Sequence, residues 1–144
     1  MTTQPPRALV LDTNIVLDLM VFHDPATHAL QTALTAKTVR WIATLPMRDE
    51  LARVLGYPQI VKSLAHHAID AVVVLAEFDV QTQLVAVAAK AGVTCKDPDD
   101  QKFIDLAVTH RATLLSKDKA VLCMKKRLLA LDVKASKAID SIAV

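Results

Sequence analysis

Ala8-Leu9-Val10-Leu11-Asp12-Thr13-Asn14 is an apolar run that stops at a carboxylate followed by two small polar residues. A short run of this kind suits a central parallel strand covered on both faces. In open α/β sheets, ligands bind just beyond the carboxyl ends of such strands. Asp12 is therefore the first site candidate. The competing reading is local, because Asp, Thr and Asn all favour the N-cap of a helix and residues 15–20 read as one.

Outward from this strand, the pattern alternates. Residues 27–36 read as a helix and 39–44 as a strand. Pro46 opens a helix to about residue 55, which Gly56-Tyr57-Pro58 stops. A long helix is expected over 63–78 and another over 81–91, ended by Gly92, with a brief extended piece at 93–96. Asp97-Pro98 starts a helix to about 110, 113–116 reads as a strand, and 118–131 as a helix. A last strand near Val133 and a terminal helix from Ser136 complete the pattern. Short strands alternating with helices predict an α/β domain with a mainly parallel sheet. One domain is expected over 1–144, with 1–7 as a polar leader.

Composition narrows the function. Hydrophobic residues make up 53% of the 144 but aromatics only 3%, so the core has to be aliphatic. Gly56 and Gly92 are the only glycines, too few for the phosphate loops of Rossmann or P-loop nucleotide enzymes. Cys95 and Cys123 form no CxxC motif and no secretory signal precedes them, which predicts a reduced, cytoplasmic setting. No apolar run approaches the ~18 residues of a membrane helix, so no membrane partner is expected. The net charge is only +2, yet bases gather late in the chain, at Arg111, Lys117, Lys119, Lys125, Lys126, Arg127, Lys134 and Lys137. They read either as attraction to a polyanion or as an ordinary solvated face.

Three further carboxylates stand where this architecture can bring them to Asp12. At about 100° per residue, Glu50 shares a helix face with Met47, Leu51 and Val54, whereas Asp49 points away and has Arg53 four residues on. A carboxylate edging a buried stripe needs a cation or donors; otherwise it snorkels at the helix boundary. Asp100 shares the face of Phe103, Ile104 and Ala107. Asp97 suits an N-cap, Asp99 suits dipole compensation, and Asp105, with Lys102 three residues back, suits the surface. Asp118 closes the strand of Leu114-Leu115, where Ser116 or Asp118 can equally cap the next helix.

Such carboxylates repel, at about 4 kcal/mol for a pair ~4 Å apart in an effective dielectric near 20. They need a cation, and all-oxygen ligation favours Mg²⁺ or Mn²⁺. The histidines lack zinc-ligand spacing. A magnesium–carboxylate site without a nucleotide loop suits phosphodiester hydrolysis.

The ordered set Leu9-Val10-Leu11-Asp12-Thr13-Asn14, Asp49-Glu50-Leu51, Asp97-Pro98-Asp99-Asp100-Gln101-Lys102-Phe103-Ile104-Asp105-Leu106-Ala107 and Leu114-Leu115-Ser116-Lys117-Asp118 resembles the PIN-domain family over nearly the whole chain. It is most similar to the bacterial subgroup described as toxins of toxin–antitoxin pairs. The resemblance implies a three-layer α/β/α sandwich around a mainly parallel sheet, a Mg²⁺- or Mn²⁺-dependent endoribonuclease, frequent homodimers and an inhibiting antitoxin. It assigns Asp12, Glu50, Asp100 and Asp118 as catalytic and metal-binding residues, Asn14 and Ser116 as supporting groups, and Asp99 as a neighbour. Lys117, Lys119, Lys125, Lys126 and Arg127 are the expected guides for RNA. Two departures stand out: Lys117 occupies a place where glycine is common, and His110-Arg111-Ala112 replaces a small, Gly-containing turn. The alternatives are a non-catalytic RNA-binding or regulatory module of the same fold and, more weakly, a phosphatase with Asp12 as nucleophile. The latter lacks a second aspartate, since Asn14 stands in its place.

Overall fold

The computed structural model describes residues 6–139. Five strands, β1 (Arg7–Leu11), β2 (Val39–Ala43), β3 (Gln83–Leu84), β4 (Thr113–Leu115) and β5 (Ala135–Ser136), form one sheet in the order β3-β2-β1-β4-β5. Every pairing is parallel, with Leu9 opposite Trp41, Leu11 opposite Leu115, and Leu115 opposite Ser136. The helices are α1 (Thr13–Leu17), α2 (His28–Ala36), α3 (Leu45–Val54), α4 (Pro58–His66), α5 (Ala71–Gln81), α6 (Gln101–His110), α7 (Lys119–Leu122) and α8 (Lys125–Leu129). Helices flank the sheet in the expected three-layer α/β/α arrangement. Among the described residues, no single helix is long and apolar enough to cross a membrane.

Consecutive strand residues are buried, as a sheet covered on both faces requires: Leu9, Val10 and Leu11 in β1, Thr113, Leu114 and Leu115 in β4. The core is mostly aliphatic, as composition demands, but its few aromatics sit deep. Trp41 meets Phe78 edge to face with centroids 5.2 Å apart, and Phe103 is also buried.

Chain order places the site. The strands run outward from β1 through β2 to β3, then cross back to β4 on the other side of β1. The direction of winding reverses between β1 and β4, the point where an open α/β sheet leaves a crevice at its carboxyl edge. Asp12 follows β1 directly, and Ser116 to Asp118 follow β4.

Several expected elements differ. The helix expected over 63–78 is two helices, α4 and α5, bent 88° apart. Ala68 turns left-handed at φ 54°, the Ile69 amide donates back to the Leu64 carbonyl, and Asp70 caps α5 by accepting from the Val72 amide at 2.9 Å. The helix expected over 81–91 is instead the edge strand β3 and irregular chain. Here the open edge of β2 offers backbone partners, with the Val85 amide donating to the Ala43 carbonyl at 2.8 Å, and tertiary pairing overrides local preference. The 93–96 stretch joins no strand. Residues 118–131 divide into α7 and α8, and the last strand begins at Ala135 rather than near Val133. The expected terminal helix from Ser136 begins inside β5 and extends past Ile139, outside the described residues.

Candidate metal centre

Asp12 caps α1 with one carboxylate oxygen and reaches the end of β4 with the other. Its Oδ1 accepts from the Asn14 amide at 3.1 Å, opening α1, while its Oδ2 accepts from the Ser116 hydroxyl at 2.7 Å. The Asp12 amide donates to the Leu115 carbonyl at 2.9 Å, fastening the end of β1 to the end of β4. Ser116 is completely buried and links the two strand ends, since the same oxygen accepts from the Asp118 amide at 3.0 Å. Asp118 then caps α7 through the Ala120 amide at 2.9 Å. The capping hydrogen bonds thus also bring the Asp12 and Asp118 carboxylates together.

Asp100 arrives from a 3₁₀ turn, Pro98–Asp100, that leads into α6 and is capped by Asp97. One carboxylate oxygen from each of Asp12, Asp100 and Asp118 lies within 4.8 Å of the others. Burial raises the pKa of Asp12 against the lowering effect of its Ser116 and Asn14 hydrogen bonds; the Asp118 and Glu50 charges raise it further. Asp100 is pushed up to about 8, first by burial, then by its hydrogen bond with Asp118 and the Asp12, Asp118 and Asp97 charges.

The Asp100 Oδ2 atom is buried with no hydrogen-bond partner among the described residues. A buried, unpartnered oxygen on a carboxylate that belongs to such a cluster is a costly arrangement in a protein alone. It is well suited to a hard divalent cation, whose oxygen shell is about 4.2 Å across for Mg²⁺ at about 2.1 Å per bond. These three residues fit a bound divalent cation.

Glu50 lies beside the trio but outside it. Its Oε1 meets the Lys102 ammonium at 2.6 Å, and its Oε2 accepts from the Thr13 hydroxyl. The cation that a carboxylate on this helix face requires is therefore Lys102, which also donates to the Asp99 carbonyl at 2.5 Å. Asn14 is exposed and contributes through its backbone amide. Asp99 is exposed and stands apart from the carboxylate cluster.

Among the expected RNA guides, Lys119, Lys125, Lys126 and Arg127 are exposed on α7 and α8. Lys117 instead pairs with Asp18 at 2.5 Å. Asp18, which the sequence reading overlooked, is 7% exposed at the start of a π-helical turn, Asp18–Phe22, that continues α1. Its signal was present: an acid inside the apolar stretch Ile15 to Val21 must find a cation. Asp105 is not a free surface acid, because it accepts from the Ala91 amide at 2.9 Å and from Gln101 at 2.8 Å, holding the chain ahead of Asp97. Asp49 is exposed, and the Arg48–Asp79 pair joins α3 to α5 in place of the expected Asp49–Arg53 pair.

A parallel α/β/α sandwich with a carboxylate cluster at its switch point defines the class. The family model described as PIN domain matches residues 8–120, and the chain belongs to that family. The fold is similar to a chain in the crystal structure of VapBC2 from Rickettsia felis bound to a DNA fragment from their promoter, with a TM-score of 0.59 and 17% identity over 89% of this chain and 98% of that one. None of the curated proteins matches.

Proposed function

We propose that this protein is a Mg²⁺- or Mn²⁺-dependent endoribonuclease and the toxin of a toxin–antitoxin pair. The observation that carries the reading is the Asp12–Asp100–Asp118 cluster, two of its carboxylates buried, with its unsatisfied Asp100 oxygen. PIN-family membership supports nuclease chemistry on this fold. The similarity to a chain of VapBC2, a protein bound to DNA from its own promoter, supports an antitoxin partner. A second copy of the chain is the other proposed partner.

Asp12, Asp100 and Asp118 are the residues that would hold the cation. Bound there, it would supply Lewis acidity toward a phosphoryl oxygen and toward water. Ser116 keeps the Asp12 carboxylate aimed inward by donating to one oxygen while the Asn14 amide occupies the other. Asp118, only half-buried, leaves the cluster open to solvent on its own side. The exposed bases of α7 and α8 give a polyanion a path toward Asp118, at the N-terminus of α7.

The test is incubation with defined RNA and DNA strands in Mg²⁺ or Mn²⁺, with and without chelator. Cleavage of RNA, abolished by chelator and reduced about a hundredfold or more by Asp12→Asn, is expected. Cleavage that survives chelation would refute the metal-dependent reading.

A further inference from the structure

We infer that Lys102 acts as a built-in second cation, committing Glu50 so that the centre takes one divalent ion rather than two. This rests on the metal-nuclease reading above and assigns Glu50 and Lys102 a role within it.

Both Glu50 oxygens are engaged, Oε2 by the Thr13 hydroxyl and Oε1 by the Lys102 ammonium at 2.6 Å. A divalent ion would need to sit about 2.1 Å from one of those oxygens. At Oε1 it would lie against an ammonium already in hydrogen-bond contact with the same atom, and like charges at that separation exclude one another. Glu50 is accordingly absent from the group of carboxylates close enough to share an ion.

The lysine is held in place rather than swept there by chance. Its ammonium also donates to the Asp99 carbonyl and lies 4.9 Å from the centre of the Phe103 ring. Its side chain is only 25% exposed and that of Glu50 16%. Thr13 follows Asp12 directly, and Lys102 sits two residues beyond Asp100. The pair is thus built from the neighbours of two trio residues, and the Glu50 charge still reaches Asp12. Removing the ammonium would return a free carboxylate to the edge of the cluster and create the ligand that a second ion lacks. Lys102 is therefore a positioning residue, acting on the ion count through Glu50.

The experiment is a Mn²⁺ titration of the purified full chain, reading free Mn²⁺ by electron paramagnetic resonance, with circular dichroism to verify folding. The wild type is expected to hold a single ion. Lys102→Met, which keeps the length of the stem, is expected to gain a second, weaker ion; adding Glu50→Gln should remove it. Lys102→Arg, which keeps the charge, should stay at a single ion, and Lys102→Gln, which also removes the charge and should gain the second ion, takes the place of Lys102→Met if that variant does not fold. Two ions in the wild type would overturn the inference. So would a single ion in folded Lys102→Met, or a second ion that persists without the Glu50 charge. No binding at all by the wild type would overturn the metal-nuclease reading together with this inference, whereas a single ion in both wild type and Lys102→Met would overturn this inference alone.

Discussion

Asp100 is a single residue carrying a liability, a buried carboxyl with an unpartnered oxygen, that a bound cation would resolve. Its carboxyl is pushed up to about 8 in the folded chain, against about 3.9 when unfolded. Between those values the folded state binds the extra proton, so the metal-free protein loses stability as pH rises from about 4 through about 8. Thermal unfolding across that range should show a falling Tm, and Asp100→Asn should flatten the slope. A proton and a cation also compete for the same carboxylate, so Mn²⁺ affinity should rise by up to about tenfold per pH unit between 6 and 8. Ser116 is the other residue whose single atom serves two partners, Asp12 and the Asp118 amide. Ser116→Ala should weaken Mn²⁺ binding about 10- to 100-fold while leaving the fold intact, measurable by titration alongside circular dichroism. At this scale the sequence exposed which side chains had needs better than it exposed their partners. Glu50, on an apolar helix face, demanded a cation, but Lys102 lies 52 residues away and was legible only as a neighbour of Asp105. Asp12, Asp100 and Asp118 could be found because each combines a strand end or helix start with an inward-facing position.

Elements succeed or fail as expectations according to how far their cause lies along the chain. β1, β2, β4, α3 and α6 carry their own signals, in apolar runs, in Pro46, and in the Asp97-Pro98 start. The break between α4 and α5 also has a local signal, the Asp70 cap, which the Ala- and Val-rich composition of the stretch obscured. β3 has almost none, because two residues become a strand only through the edge that β2 presents. The π-helical turn after α1 starts at a residue with a distant partner, since Asp18 is buried against Lys117 in the β4–α7 connection. That ion pair ties the helix that follows Asp12 to the loop between Ser116 and Asp118. Lys117→Met should strand the Asp18 charge and cost about 1–3 kcal/mol, a value reduced by the partial exposure of Lys117. Denaturant unfolding measures it, and Asp18→Asn in the Lys117→Met background should recover part of the loss.

For the whole molecule, alternation of strands and helices was enough to predict a parallel α/β sandwich, but strand order was not contained in any local pattern. The order β3-β2-β1-β4-β5 puts β1 beside β4 and brings two distant strand ends together. That adjacency explains why Asp12 and Asp118, 106 positions apart, share the hydroxyl of Ser116. It also explains why the family's ordered acids are legible as a set, although individually each reads as a cap. Glu50 separates from that set through side-chain pairing that the fold alone does not dictate. We propose above that the three converging carboxylates make this chain a metal-dependent ribonuclease. The most direct test of that reading is single-turnover cleavage of a labelled RNA in Mn²⁺ by wild type and Asp12→Asn, both verified as folded. The expected result is cleavage by the wild type and a rate about a hundredfold or more lower in the variant; equal rates, or an inert wild type, would contradict it.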